Sequence, residues 1–236
     1  NKYWWAIDTQ LVNEIWSAFY PGMLESVVDR AGWGARITNS HLGTHPTLFY
    51  AAVYSGAFFF SDVGQLYDIA TSFIPHSSPF AAGLADVKAW HGANDGWRLT
   101  WGQINAMYLR YPHADGFWHD VSATIKGLMG AMAFLYGEGA FLKTVGIATA
   151  AGFDCDNQAA TLGGLLGVMH VSSALPRSPT HDVGSIHWTK PFNDMYKNIT
   201  RNSLPEDNSI INGYRGQDYD DRARGNPPER WRRARL

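Results

Sequence analysis

The chain has 236 residues, of which 45% are hydrophobic, 14% aromatic and 17% charged, and its formal net charge is −2. So apolar a composition excludes an intrinsically disordered chain, and a net charge near zero argues against a dedicated nucleic-acid binder. The length fits one large domain, or one domain with an appendage.

Helical periodicity predicts nine helices. In the first, the apolar residues Leu11, Ile15 and Phe19 recur on one face, and Pro21-Gly22 ends the helix. The others are predicted at Met23–Ala35, Thr47–Phe60, Val63–Phe73, from Ser78-Pro79 to about Trp90, and at Gly96–Tyr111, Asp120–Tyr136, Ala140–Ala151 and Asn157–His170. No alternating run of β-branched residues appears before residue 180. We therefore expect an all-α fold, an orthogonal multi-helix globular domain.

Two long stretches carry no Asp, Glu, Lys or Arg, residues 37–61 and 157–176. A membrane-spanning helix needs about 20 predominantly apolar residues, and both stretches contain polar groups, including histidines. We therefore expect buried helices with polar ends and no membrane partner.

The composition changes near Pro176. Residues 177–236 are rich in Pro, Asn, Asp and Arg, and from Tyr214 onward seven arginines face four acidic residues. We therefore expect a helical domain over residues 1–176 and an irregular C-terminal extension with a basic tail over residues 177–236. The tail would be solvated, or would lie as a strap on a neighbouring subunit.

The single cysteine, Cys155, excludes an intrachain disulfide and favours a reducing, cytoplasmic compartment. The triplet Asn198-Ile199-Thr200 is an N-glycosylation sequon and favours secretion. The sequence therefore leaves the localisation open.

Oxygen-bearing side chains are concentrated after Gly152, where Asp154, Asp156 and Asn157 precede a helix of small residues. Carboxylate and amide oxygens suit a hard cation such as Mg²⁺, Mn²⁺ or Ca²⁺. The alternative is structural, with Asp156 or Asn157 as a helix N-cap and Asp154 paired with an arginine.

Residues 120–176 resemble the C-terminal signature of the ADP-ribosylglycohydrolase superfamily, in the branch that includes the J-type lens crystallins. The matching residues are Leu135-Tyr136-Gly137-Glu138-Gly139, Gly152-Phe153-Asp154-Cys155-Asp156-Asn157, Ala160-Thr161 and Ala174-Leu175-Pro176. The resemblance continues more weakly upstream and covers roughly residues 6–200.

The resemblance implies that Asp154 and Asp156 ligate Mg²⁺ or Mn²⁺ in a binuclear centre, with Asn157 where many relatives have a hydroxyl ligand. It implies hydrolysis of N- or O-glycosidic bonds of an ADP-ribose-like or related sugar substrate. It also assigns substrate contacts, at His41, Asp8, Gln10 and Gly152. For His41 the alternative is a turn histidine, and for Asp8 and Gln10 an ordinary first helical turn.

The family's other metal ligands lie in a Thr-Asp-Asp motif ahead of the region that matches Ile7, and this chain lacks that motif. Two interpretations follow. In one, a partner chain or a preceding segment supplies the missing half of an active enzyme. In the other, the chain is a non-catalytic, crystallin-like assembly protein that forms homo-oligomers.

Overall fold

The computed structural model describes residues 3–12, 14–109 and 121–170. In these ranges the regular structure is helical, apart from one antiparallel bridge between Ala6 and Ser122. The all-α prediction is confirmed for this part of the chain.

Ten α-helical segments and one 3₁₀ helix lie within the described residues. They are α1 (Asp8–Val12), α2 (Glu14–Phe19), α3 (Leu24–Ala35), the 3₁₀ helix (His41–Thr44), α4 (His45–Ala57), α5 (Val63–Thr71), α6 (Pro79–Ala93), α7 (Trp97–Tyr108), α8 (Ala123–Gly137), α9 (Phe141–Ala151) and α10 (Cys155–His170). Side-chain caps begin two of them, since Asp62 accepts from the Gln65 N–H and Ser78 from the Phe80 N–H.

Helix α8 is buried along its whole length and forms the centre of the core. It packs against α4, α5, α6, α7, α9 and α10. Its sequence is almost entirely apolar or small on every side, so the helix has no face suited to water and is stable only when it is surrounded. Helix α4 is nearly as buried, and Phe49 on α4 makes edge-to-face contacts with Tyr67 and Phe80, at centroid distances of 5.4 and 6.1 Å.

The first predicted helix corresponds to α1 and α2, which flank residue 13, a residue outside the described ranges. Apolar faces normally turn to the core, yet Leu11, Ile15 and Phe19 are 42%, 56% and 71% exposed. The fully buried side chains of α1 and α2 are instead the polar Thr9, Gln10 and Ser17. These groups find hydrogen-bond partners on neighbouring elements, Ser17 at the Ala51 carbonyl and Gln10 at Gln158, so the apolar stripe is not the buried face.

Several helix boundaries also differ from the prediction. Helix α10 begins at Cys155 rather than Asn157, so Asp156 and Asn157 lie in its first turn. Helix α4 runs from His45 to Ala57 rather than from Thr47 to Phe60, and a short 3₁₀ helix, His41–Thr44, directly precedes it. None of the described helices is both long and apolar enough to cross a membrane. The domain boundary near Pro176, residues 177–236 and the sequon at Asn198 lie outside the described residues.

Gly130→Ala in α8 should destabilise the protein by about 1–3 kcal/mol, because the new Cβ would collide with the buried Tyr50 hydroxyl and the Gln158 amide. Gly102→Ala in α7 is the matched control. Nothing lies within 4 Å of its new Cβ, so this change should stabilise the protein by about 0.5–1 kcal/mol. Urea unfolding of both variants measures the difference, and equal effects would contradict the packing described here.

Candidate functional site

The turn between α9 and α10 carries the predicted metal ligands on an unusual backbone. Gly152, Phe153 and Asp154 all have positive φ angles, of 76°, 54° and 64°. Non-glycine residues rarely adopt this conformation, and it costs about 1–2 kcal/mol per residue, so the surrounding contacts must hold the turn. One such contact is made by Trp101, whose indole Nε1–H donates to the carbonyl of Ala151 (2.7 Å).

Asp154 is held by Lys126, a residue that the sequence interpretation did not single out. The Lys126 ammonium donates to the Oδ2 atom of Asp154, and the Lys126 side chain is completely buried in α8 while that of Asp154 is 30% exposed. Burial lowers the pKa of Lys126, and the hydrogen bond and charge of Asp154 oppose that shift. An ion pair therefore occupies one of the two oxygens that Asp154 would offer a metal ion.

Asp156 and Asn157 lie beside Asp154 in the first turn of α10. The pKa of Asp156 is lowered, first because the Asn157 N–H donates to its Oδ1 atom (2.9 Å) and second because the Asp154 carboxyl group is within hydrogen-bonding reach. The Oδ1 atom of Asn157 is buried and has no hydrogen-bond partner. Buried oxygens without a partner are rare in proteins, and this one is a candidate to accept a ligand or a water molecule.

These donors match one hard cation better than two. Within the described residues, no three His, Cys, Asp or Glu side chains lie close enough together to hold a metal. The available oxygens come from Asp154, Asp156 and Asn157, and Lys126 already engages one of them. A single Mg²⁺ or Mn²⁺ usually completes its coordination shell with water, so three protein ligands suffice for one ion.

The structure does not describe the side chain of Asp8, so that predicted substrate contact stays a prediction.

Gln10 is connected to this turn by buried hydrogen bonds. Its Nε2 atom donates to Oε1 of Gln158 (3.2 Å), and the Nε2 atom of Gln158 donates to the Lys126 carbonyl (2.5 Å). The Oε1 atom of Gln10 is buried and lacks a partner, like that of Asn157. Two of the predicted site residues therefore present unpartnered buried oxygens.

His41 lies on the 3₁₀ helix, whose backbone contacts α1. It is exposed at the start of the 3₁₀ helix, and its ring meets that of Trp4 edge to face, with centroids 5.8 Å apart. Two residues on, the carbonyl of Gly43 accepts from the Thr9 hydroxyl (3.2 Å). Thr9 directly precedes Gln10, so the 3₁₀ helix, α1 and α10 are joined by neighbouring contacts. His45 points elsewhere, with Nδ1 at 2.6 Å from the Ser78 hydroxyl.

Glu14 is a second titratable residue that the sequence interpretation missed. Its Oε1 atom accepts a hydrogen bond from the Thr161 hydroxyl, and burial raises the pKa of Glu14 while that bond lowers it. Thr161 follows Asn157 by one turn of α10, which puts the two side chains about 5–6 Å apart at Cβ. Glu14 therefore lies against the first half of α10, one turn beyond the segment that carries Asn157. The spacing Gln10, Glu14, Ser17 is the signal for it, a polar stripe with helical period.

Comparison with known proteins gives one result. A family model described as ADP-ribosylglycohydrolase matches residues 15–208, which is more than half of the chain. The match includes Glu14's partner Thr161, the carboxylates Asp154 and Asp156, and Lys126. No curated protein and no solved structure matches the chain.

Glu14→Gln should stabilise the protein at neutral pH. Because the pKa of Glu14 is raised in the folded state, the protein loses stability as the pH rises from about 4.5 through that pKa. A neutral glutamine amide avoids this loss, and its oxygen can still accept a hydrogen bond from the Thr161 hydroxyl. We expect a Tm increase on the order of 2 °C at pH 7.5 and none at pH 4. The exposed Glu25→Gln is the control and should show no such pH-dependent gain.

Proposed function

Because this chain belongs to the ADP-ribosylglycohydrolase family, we propose that it hydrolyses ADP-ribosyl or related glycosidic bonds at the turn between α9 and α10. The observation that carries the proposal is the turn itself, in which the Asp154 and Asp156 carboxyl groups lie within hydrogen-bonding reach of each other and the adjacent Asn157 has a buried Oδ1 atom without a partner. Family membership indicates the class of reaction, and the turn between α9 and α10 is the proposed active site.

In the proposal, the cofactor is a Mg²⁺ or Mn²⁺ ion held by Asp154, Asp156 and Asn157. When bound, such an ion would supply positive charge that orients the ribose hydroxyls and makes water a better nucleophile at neutral pH. The lowered pKa of Asp156 supports this role, because the carboxylate is ionised over the whole neutral range.

The remaining residues would bind substrate and move a proton. The unpartnered Oε1 atom of Gln10 is placed to accept from a ribose hydroxyl. The space beside Gly152 is open, which permits a close approach of substrate to the backbone. His41, exposed on the 3₁₀ helix, is the proposed phosphate contact, as the family resemblance implies.

Glu14 is the proposed proton donor. Water attacks the anomeric carbon, the glycosidic C–N or C–O bond breaks, and the departing atom must take up a proton. A carboxyl group with a raised pKa keeps its proton at higher pH than an ordinary glutamate does, which is the property a general acid needs.

Asp156→Asn should lower kcat/KM for ADP-ribosyl conjugates at least about 100-fold while leaving the fold intact. Release of ADP-ribose from N- and O-linked conjugates, followed by chromatography, measures the rate. Asp68→Asn is the control, since Asp68 forms an exposed ion pair with Lys88. Calorimetric titration of Mn²⁺ tests the cofactor separately. The proposal fails if wild type releases no ADP-ribose, and its metal part fails if wild type and Asp156→Asn bind Mn²⁺ equally.

A non-catalytic assembly protein is the second candidate. The Lys126–Asp154 ion pair favours it, because the chain itself balances a carboxylate that would otherwise need an ion from solution. Such a protein would form homo-oligomers and retain the fold without turnover. Light scattering after size exclusion tests this with the full chain and with residues 1–213. A monomer in both cases contradicts an assembly role.

A further inference from the structure

Lys126 is a buried charge that the proposed reaction does not use. It lies in the first turns of α8, and its side chain has no solvent exposure. A buried ammonium is unfavourable unless a partner balances it, and within the described residues the ion-pair partner of Lys126 is Asp154.

The backbone around Lys126 is fixed from several sides. Its N–H donates to the Ser122 carbonyl (3.1 Å), and its own carbonyl accepts from Gln158 (2.5 Å). The next carbonyl, of Gly127, accepts from the Tyr50 hydroxyl (2.9 Å). The side chain therefore starts from a rigid point, and it reaches the α9–α10 turn from the interior, opposite the exposed Asp156.

We propose that the ammonium of Lys126 is a resident cation of this turn, which occupies one oxygen of Asp154 and so limits the turn to a single, weakly held divalent ion. The inference rests on the proposed function in taking Asp154, Asp156 and Asn157 as the cation ligands. Lys126 acts through Asp154 and is therefore a positioning residue, which sets how many cations the site accepts.

The charges in the turn support this assignment. Two carboxylates and one ammonium leave a net charge of −1, and without the ammonium the net charge is −2. Removing the ammonium also frees the Oδ2 atom of Asp154 as a ligand. Both effects strengthen divalent-cation binding, because the lost repulsion acts over a few ångströms in a partly buried site.

The test compares Mn²⁺ binding by wild type, Lys126→Met and Lys126→Gln. We expect both neutral variants to bind Mn²⁺ at least about tenfold more tightly than wild type. Adding Asp154→Asn to Lys126→Met should remove the gain. Lys143→Met is the matched control, because Lys143 pairs with the exposed Glu138, and it should bind as wild type does. Circular dichroism verifies that each variant is folded.

A folded Lys126 variant that binds Mn²⁺ as weakly as wild type, or more weakly, would overturn the inference. So would a gain in Mn²⁺ affinity that survives Asp154→Asn.

Electron paramagnetic resonance of Mn²⁺-loaded wild type gives a second measurement that needs no variant. One ion per chain with the signal of an isolated ion supports the inference, and a spin-coupled pair overturns it. If wild type binds no Mn²⁺ but the Lys126 variants do, Lys126 excludes the ion altogether, so the inference of a single bound ion is overturned and the metal part of the proposed function fails with it. If wild type and the Lys126 variants bind Mn²⁺ equally tightly, the inference fails and the metal part of the proposed function stands.

Discussion

The charge of Lys126 is placed where the rest of the core excludes charge. Helix α8 is surrounded by other helices, and a fully buried ammonium there needs a carboxylate within reach. Asp154 supplies it from the turn between α9 and α10, where three successive residues have positive φ angles. The way in which α9 joins α10 is therefore tied to a charge on the central helix α8.

A polar interior next to this ion pair explains the orientation of the first helices. The Gln158 amide connects the Lys126 carbonyl to Gln10, and the Thr161 hydroxyl connects α10 to Glu14. A buried polar group left without a partner costs about 1–3 kcal/mol, and hydrogen bonds to α10 offset part of that cost for Gln10 and Glu14. The helices accordingly turn their polar stripe inward and leave large apolar side chains such as Phe19 exposed.

The sequence predicts those residues of the candidate site that are close together in the chain. Asp154, Asp156 and Asn157 fall within four positions, so any structure keeps them near one another, and their oxygen chemistry is readable directly. Lys126 lies 28 positions from Asp154, and Glu14 lies 147 positions from Thr161. The polar stripe of Gln10, Glu14 and Ser17 is a local sign of Glu14, but nothing local identifies the partner of either residue.

The amino-acid sequence by itself determines the all-α class, the approximate positions of the helices and the family, because these follow from residue order, local periodicity and a contiguous motif. Only the tertiary structure decides which face of a helix is buried and which charge meets Asp154. The physical reason is that burial and ion pairing depend on what lies opposite in space. A periodic pattern states that a helix has two unlike faces, whereas the hydrogen-bonding needs of α8 and α10 select the one that turns inward.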